Sequence, residues 1–226
     1  MSFSVIIPSR NEQNALGCLQ AVRKHEPLVS IHIIWDEWNG GKLPSSLADE
    51  HFCLVTYPFV FSKNVNYGIM LAKGDGVILL NDDALLQTPG GFTAMAAVAH
   101  DHPEYGIIAA TTNVVGNLNQ LPKGTGLRED PRQVCFICVY IPRATIEKVG
   151  LLDERFVDYG CEDDDYCLRI RKAGLKLGIF DGCYVDHGSL TSSFRGGPRA
   201  GGDYMPNMKR FIAKWGHDNF GRPCRA

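Results

Sequence analysis

Gly76-Val77-Ile78-Leu79-Leu80-Asn81-Asp82-Asp83 is the stretch that decides the fold of this chain. Four branched apolar residues follow Gly76 without interruption, which is the pattern of a short strand buried on both faces of a parallel sheet. Two carboxylates come directly after it, and open α/β folds hold their ligands at the carboxyl ends of such strands. Asp82 and Asp83 repel each other unless a cation or hydrogen-bond donors compensate their charge. The stretch therefore predicts a site for a divalent cation and a phosphate-bearing ligand, although an ordinary turn rich in Asn and Asp has the same composition.

Short apolar runs alternate with amphipathic stretches on both sides of this strand. Apolar residues at helical spacing predict helices at residues 12–25, 62–73 and 91–100. Further strands are predicted at residues 3–7, 31–35, 52–56 and 107–110. Regular alternation of this kind predicts an α/β fold with a doubly wound, mostly parallel central sheet flanked by helices.

The second half of the chain breaks this alternation. Residues 111–131 are polar and predict a long loop, and the apolar run at 134–141 predicts a strand. Helices are predicted at residues 142–149, 162–172 and 208–215. Two short strands, 177–180 and 183–185, are separated by Asp181-Gly182, a tight-turn signal. The segment 188–203 is rich in Gly and predicts a mobile loop, and because no repeat or linker divides the sequence we expect one domain over residues 1–226.

The composition excludes several classes of protein. With 226 residues, 45% of them apolar and 21% charged, the chain is typical of a globular protein with one sizeable core. A net charge of −2 gives no bulk attraction to nucleic acid or to an anionic membrane. No apolar run approaches the roughly 20 residues of a transmembrane helix, and most of the eight cysteines lie in apolar runs, as buried thiols do. We therefore expect a soluble, reduced, cytoplasmic protein.

The turn after the first predicted strand is a second candidate for ligand binding. Pro8 ends that strand, and Ser9-Arg10-Asn11-Glu12 has the Ser-x-x-Glu form of a helix capping box. The free amides at the start of the following helix could face a nucleotide. Glu12 is then either a helix cap alone or part of the site.

A second acidic cluster, Glu162-Asp163-Asp164-Asp165, opens another predicted helix. On that helix Asp163 shares a stripe with Tyr166 and Ile170, so it is the acid that points inward. Partial burial beside other carboxylates would raise the pKa of Asp163 above its usual value of about 3.9, which suits a general base. An acid that only stabilises the helix dipole would occupy the same position.

A single histidine, His187, directly follows the last predicted strand. If the strand order brings it to the sheet edge beside Asp83, an imidazole together with carboxylate oxygens suits Mn²⁺ better than Ca²⁺. Otherwise a lone histidine at a strand end is structural or merely exposed.

Taken in this order along the chain, the motifs resemble those of the family 2 glycosyltransferases, inverting enzymes with the GT-A fold. The resemblance runs from Ser4 to Trp215. It lies in Val5-Ile6-Ile7-Pro8-Ser9-Arg10-Asn11-Glu12, Ile33-Ile34-Trp35-Asp36, residues 66–75, Leu80-Asn81-Asp82-Asp83, residues 149–156, residues 162–169, Val185-Asp186-His187 and residues 211–216. It implies a single GT-A domain in which residues 1–110 bind the nucleotide-sugar and residues 111–226 form the acceptor side with a smaller sheet.

The resemblance also implies a role for each matching residue. The donor nucleotide, which we expect to be UDP, would be bound by Pro8, Ser9, Arg10, Glu12, Asp36, Asn66, Asp82 and Asp83. The metal ion, Mn²⁺ or Mg²⁺, would be held by Asp83 and His187. Asp163 would take the proton from the acceptor hydroxyl.

Two features depart from the family pattern or extend it. Asn81 stands where the family often has an acid, and the loop at residues 38–42 lacks the usual small polar residues after Asp36, so the donor base stays open. Arg195 and Arg199 lie in the glycine-rich segment, and their charge predicts that they fold over the donor phosphates and exclude water.

Two other functions remain compatible with the sequence. A nucleotidyltransferase of similar topology would use the acids for two metal ions and release pyrophosphate. A catalytically silent module could keep the nucleotide fold for binding alone. The acceptor could be a glycan, a lipid, a protein or a modified nucleic acid.

Overall fold

The computed structural model describes residues 1–36, 51–55, 59–157, 160–190 and 204–223, with Asp36 and residues 51–55 described by their backbone only. The strands are β1 (Phe3–Ser9), β2 (Ser30–Asp36), β3 (His51–Val55), β4 (Gly76–Leu80), β5 (Leu85–Leu86), β6 (Tyr105–Thr112), β7 (Leu127–Asp130), β8 (Cys138–Pro142) and β9 (Lys176–Asp186). The helices are α1 (Glu12–His25), α2 (Phe61–Leu71), α3 (Gly91–Asp101), α4 (Arg143–Val149), α5 (Glu162–Lys172) and α6 (Met205–Trp215), with a 3₁₀ turn at Leu118–Gln120.

The described strands form one sheet in the order β3-β2-β1-β4-β8-β6-β9-β5, with β7 also paired to β9. The first four strands of this order are parallel, as the alternation in the sequence predicts. β8 is antiparallel to both β4 and β6, and β6 is parallel to β9. Strands β1, β4, β6 and β9 therefore all run in one direction and end at the same edge of the sheet. The smaller acceptor-side sheet expected from the sequence is continuous with the central one.

Both faces of the sheet are covered, which explains why β4 is apolar throughout. All five residues of β4 are buried. On one face α1 and α3 pack through side chains such as Leu19 and Phe92, and on the other face α2, α4 and α5 pack through side chains such as Ile69 and Tyr166. Burial on both faces removes the period-two alternation of a half-exposed strand.

The prediction of two short strands around Asp181-Gly182 was wrong, because β9 continues through this position. The register between β6 and β9 jumps here, from Phe180 to Tyr184, so the dipeptide lies in an irregularity of the strand. A β-carbon on Gly182 would collide with the ring of Phe180. The Asp181 carboxylate is held by the Arg128 guanidinium, with an Nη2–Oδ1 distance of 3.0 Å. The turn signal therefore marks a bulge fixed by an ion pair.

The predicted strand at residues 134–141 is shorter than expected, because β8 begins only at Cys138. Ahead of it, the Gln120 side chain takes the place of a neighbouring strand. Its amide accepts from Cys135 N at 2.6 Å and donates to Cys135 O at 3.1 Å. The region 111–131, expected to be a loop, contains β7 and the 3₁₀ turn.

Within the described part of the chain, no helix combines the length and apolar character needed to cross a lipid bilayer.

Candidate active site

The ends of β1, β4 and β9 bring three distant parts of the sequence to one edge of the sheet. The turn after β4 leads into β5, which pairs antiparallel with the end of β9, so that Leu85 lies opposite Asp186. This pairing carries Asp83, two residues before Leu85, towards His187, one residue after Asp186. The convergence expected at the carboxyl ends of these strands is therefore produced by a strand of two residues.

Asp83 and His187 are in direct contact. The distance from Asp83 Oδ1 to His187 Nε2 is 3.2 Å, and Asp83 is 5% exposed. The other ring nitrogen, Nδ1, lies 2.8 Å from the carbonyl oxygen of Val114. Because a carbonyl only accepts, Nδ1 carries a proton, and Nε2 is the ring nitrogen that faces the carboxylate. Hydrogen bonding of the second ring nitrogen is typical of histidines that bind metals.

The two side chains fit a divalent metal ion. Ligands of octahedral Mg²⁺ lie about 2.1 Å from the ion, so two adjacent ligand atoms are roughly 3 Å apart, close to the 3.2 Å between Asp83 and His187. Among the described residues, no group of three or more His, Cys, Asp or Glu side chains is arranged to hold a metal. The remaining ligands would come from solvent or from phosphate oxygens of a substrate, as is usual for Mg²⁺.

Asp82 is bound to the turn after β1. Its Oδ2 accepts a 2.6 Å hydrogen bond from the Ser9 hydroxyl, and both residues are buried. The capping box predicted at Ser9 was wrong, because the cap of α1 is Asn11, whose side chain accepts from Asn14 N at 3.1 Å. Ser9, the last residue of β1, lies two residues before this cap, and its hydroxyl donates to Asp82 instead.

The other residues of the first turn surround this contact. Pro8 is buried in β1, and Glu12 is exposed at the start of α1. The guanidinium of Arg10 lies 5.6 Å from the ring centroid of Phe59, a distance at which a cation interacts with an aromatic face. The nucleotide contacts predicted for these residues stay predictions.

Asp163 lies at the same edge of the sheet, in the first turn of α5. Its carboxylate accepts from the backbone amide of Asp164, at 2.8 Å, and from that of Phe136. The next residue, Ile137, accepts from Asn81 N at 2.9 Å. Asp163 is thus linked to the turn that carries Asp82 and Asp83 through Phe136 and Ile137, the two residues directly before β8.

Burial perturbs the acids of α5. It raises the pKa of Asp163 above its usual range, against the lowering effect of the backbone amides that it accepts from. Burial and the charge of Asp163 raise the pKa of Glu162 to about 8 and that of Asp164 to about 7. Raised pKa values near neutrality are expected of groups that exchange protons.

The backbone that presents these acids is unusual. Gly160 and Cys161, directly before α5, both have positive φ, of 82° and 71°. For a residue with a β-carbon this conformation is unfavourable, and such residues cluster at functional sites. Cys161 is buried against Phe156 and Phe211, which holds it in place.

The structure does not bring all of the predicted residues to this edge. The buried Asn66 side chain binds Leu152, donating to its carbonyl at 2.9 Å and accepting from its amide at 2.9 Å, and also donates to Glu154. Asn66 therefore fixes the segment before α5, and its predicted nucleotide contact stays a prediction. Asp36 ends β2 at the expected edge. Arg195 and Arg199 lie outside the described residues.

Several contributors to the site were not identified from the sequence. Asn113 accepts from His187 N and donates to Asp186, both at 2.8 Å. Asn113 directly follows the strand β6. A polar residue just after a buried strand is the same signal that identified Asp82 after β4. Cys18, on α1, contacts the turn that carries Asp82 and Asp83, with its Sγ 3.3 Å from the carbonyl oxygen of Ala84. Burial and the charges of Asp82 and Asp83 raise the pKa of this thiol well above its usual range.

Comparisons with known proteins place this geometry in a known fold. No protein-family profile matches the chain. An uncharacterized protein of Sinorhizobium fredii (strain NBRC 101917 / NGR234), y4gI, is 26% identical over 141 residues, which cover 52% of this chain and 16% of that protein.

Solved structures match most of the chain. GalNAc-T7 with UDP, GalNAc and Mn²⁺ has a TM-score of 0.72 at 14% identity, over 96% of this chain and 48% of its own. The mannosyltransferase PcManGT from Pyrobaculum calidifontis, in complex with GDP-Man and Mn²⁺, has a TM-score of 0.64 at 16% identity, over 85% and 58%. S. aureus TarS 1–349 in complex with UDP-GlcNAc has a TM-score of 0.60 at 14% identity, over 95% and 66%.

The chain spans less than two-thirds of each of these solved chains. At identities of 14–16% the likeness shows the fold alone. The prediction of an α/β fold of the GT-A type is confirmed: the chain has the mixed α/β architecture of the GT-A glycosyltransferases.

Proposed function

We propose that the chain is a metal-dependent, inverting glycosyltransferase of the family 2 type, which moves a sugar from a UDP-sugar to an acceptor hydroxyl. The observation that carries the proposal is the convergence of two acidic sites on one edge of a GT-A sheet. One is the contact between Asp83 and His187, and the other is the partly buried Asp163. Two of the similar structures contain Mn²⁺, one with UDP and GalNAc and the other with GDP-Man, which supports the same chemistry.

In this mechanism Asp163 is the general base. Its raised pKa makes the carboxylate a stronger proton acceptor than an ordinary aspartate, and the amides of Asp164 and Phe136 hold it in one orientation. The acceptor oxygen gives its proton to Asp163 as it bonds to the anomeric carbon, opposite the nucleotide, whose bond to the sugar breaks with the electron pair leaving on the diphosphate. A positioned base of this kind contributes typically 10²–10⁴-fold to the rate.

Residues of the β4 turn hold the donor. Asp83 and His187 would bind Mn²⁺ or Mg²⁺, which when bound supplies Lewis-acid stabilisation of the departing diphosphate. Asp82, fixed by the Ser9 hydroxyl, lies beside this pair and is suited to orient the ribose or a bound water.

Calorimetry with nucleotides tests the proposal. UDP is titrated into the protein with Mn²⁺, with Mg²⁺ and without metal, and GDP replaces UDP in a parallel series. We expect metal-dependent binding of UDP that Asp83→Ala abolishes and Asp163→Asn retains. Asp101→Ala, which removes an exposed carboxylate at the end of α3, is the matched control and should bind normally.

Activity measurements separate the alternatives. We expect slow hydrolysis of UDP-sugars in the wild type, and loss of sugar transfer in Asp163→Asn. Release of pyrophosphate from a nucleoside triphosphate would instead identify a nucleotidyltransferase. Binding without hydrolysis or transfer for any donor of a UDP-sugar and GDP-sugar panel would identify a silent module, and near-normal transfer by Asp163→Asn would refute the base assignment.

A further inference from the structure

The turn that leads into α5 has a backbone that its own sequence does not stabilise. Gly160 and Cys161 both have positive φ, and the value of 71° at Cys161 is unfavourable for a residue with a β-carbon. In the part of the chain that the structure describes, the Cys161 side chain makes no capping hydrogen bond to the helix, although such caps usually satisfy the free amides of a first turn. The four residues that follow are all acidic, and carboxylates this close together repel one another. Contacts from elsewhere in the fold must therefore hold this turn.

Side chains at the start of α6 hold the two residues with positive φ. Tyr204, which directly precedes α6, packs its ring on Gly160, where an added β-carbon would lie 2.6 Å from Cδ2 of that ring. The fully buried Asn207 donates from Nδ2 to the carbonyl oxygen of Gly160 at 2.7 Å. The Tyr204 hydroxyl donates to the sulfur of Cys161. Both residues of the turn are thus fixed by another helix.

The chain after α6 holds the residue on the other side of Asp163. Asn219 Nδ2 lies 2.6 Å from the Tyr204 hydroxyl oxygen and 2.7 Å from Oδ2 of the buried Asp164. A side-chain amide has two hydrogens, so one Asn219 nitrogen can donate to both groups. Asn219 is itself placed by a turn in which the Asp218 carboxylate accepts from two backbone amides. The same hydroxyl therefore connects the turn before α5 to the first turn of that helix.

These contacts lie on both sides of the proposed general base. Cys161 is two residues before Asp163, and Asp164 directly follows it and donates its backbone amide to the Asp163 carboxylate at 2.8 Å. We propose that Tyr204 and Asn219 are positioning residues for Asp163. Through the residues on either side they set the direction of the first turn of α5, and with it the place of the carboxylate. This inference rests on the proposed function, because that function makes Asp163 the base.

Carboxyl ¹³C spectra of the full chain measure the effect on Asp163 directly. An amide that donates to a carboxylate lowers its pKa, so a weakened bond from the Asp164 amide raises it. The Asp163 signal is assigned by its absence in Asp163→Asn and is followed through a pH titration. Tyr204→Phe removes only the hydroxyl and keeps the ring on Gly160, and we expect it to raise the midpoint of this signal by roughly half a unit to one unit.

Kinetics separate positioning from folding. A displacement of about 1 Å at a catalytic group costs about 10²-fold in rate, so kcat for hydrolysis of UDP-glucose, UDP-galactose, UDP-GlcNAc or UDP-GalNAc should fall roughly tenfold to a hundredfold in Tyr204→Phe and Asn219→Ala. The affinity for UDP with Mg²⁺ should stay unchanged, because the proposed metal ligands lie on other elements. Tyr105→Phe, at the start of β6 and away from the site, and Gln20→Ala, an exposed amide on α1, are the matched controls and should behave like the wild type.

Three results would overturn the inference: an Asp163 midpoint in Tyr204→Phe equal to that of the controls, an unchanged kcat in both variants, or equal losses of kcat and UDP affinity, which a general loss of structure would produce. Circular dichroism at the assay temperature checks that each variant is folded, and if Asn219→Ala is not, Tyr204→Phe decides alone. UDP binding and hydrolysis by the wild type are scored separately. Their absence would refute the proposed function, whereas the Asp163 midpoint needs no substrate and would still decide whether the hydroxyl positions the carboxylate.

Discussion

Asp163 and Asp165, two positions apart on α5, should respond in opposite ways to the same substitution by Asn. Asp165 is fully buried and accepts from Arg169 at 3.0 Å, from Lys214 at 2.6 Å and from the Trp215 indole at 2.8 Å. Its charge is balanced by two cations, one of them on α6. The charge of Asp163 is opposed by burial, which raises its pKa. Neutralising Asp165 therefore breaks an ion network, whereas neutralising Asp163 removes an unfavourable charge.

The contacts of Asp165 and Asp163 set the expected change in the free energy of unfolding for each variant. Removing one partner of a buried ion pair costs roughly 3–5 kcal/mol. In Asp165→Asn the new amide still accepts from the indole, and Lys214 retains its ion pair with Asp153 at 2.8 Å. We therefore expect the free energy of unfolding to fall by about 3 kcal/mol. With an unfolding entropy of about 2.1 cal/mol/K per residue and 226 residues, this lowers Tm by roughly 6 °C. For Asp163→Asn we expect a change within about 1 kcal/mol at pH 8, in the stabilising direction.

The assay is thermal unfolding at pH 8, followed by calorimetry and fluorescence, with UDP binding measured on each variant at 20 °C. Asp163→Asn should unfold at the wild-type temperature or above and bind UDP with metal, yet fail to transfer sugar. Asp165→Asn should unfold earlier. Equal destabilisation by the two substitutions would refute the reasoning, because Asp163 would then be an anchor of the helix rather than a base held in an unfavourable state.

Three further substitutions test single contacts. Burial and the charge of Asp163 raise the pKa of Glu162 from 4.5 to about 8, so the wild type loses stability as the pH rises through that window. In urea titrations Glu162→Gln should match the wild type at pH 4.5 and exceed it at pH 8.5, by at most about 5 kcal/mol. Ser9→Ala removes the 2.6 Å hydrogen bond to Asp82 and should cost roughly 2 kcal/mol in the same titration, and an unchanged midpoint would contradict that bond. Asn66→Ala leaves the amide and carbonyl of Leu152 without their partner and should cost roughly 3 kcal/mol, with faster proteolysis of the segment before α5 as a second readout.

Local patterns in the sequence were sufficient for the parallel half of the sheet. An uninterrupted apolar run such as residues 76–80 predicts a strand that is buried on both faces of a sheet. The carboxylates that follow it then lie at the end of that strand. Helical periodicity also predicted Asp163 as the inward acid of α5, but Asp164 and Asp165 are the buried acids of this helix and Asp163 is half-buried. These inferences need only neighbours in the sequence.

The features that were predicted wrongly depend on contacts between segments that are distant in the sequence, and no local pattern encodes such contacts. Asp181-Gly182 has the composition of a turn, but the Arg128 guanidinium, far away in sequence, binds the Asp181 carboxylate and the dipeptide lies within a strand. The backbone of Cys135 pairs with the Gln120 side chain, so the first part of the apolar run at residues 134–141 did not become a strand. Ser9 has the spacing of a cap but lies beside a buried carboxylate, which binds its hydroxyl more strongly than a helix amide does.

The two halves of the proposed site are held by different parts of the fold. The contact between Asp83 and His187 depends on the pairing of β5 with β9, whereas Asp163 depends on the packing of α5 and on the Phe136 amide. A hydrogen bond from Asn81 N to Ile137 O connects them. Changes in β5 should weaken metal-dependent donor binding and leave the pH dependence of transfer intact. Changes in the first turn of α5 should do the reverse, because Asp163 is held by the amides of Asp164 and Phe136 and not by the turn after β4.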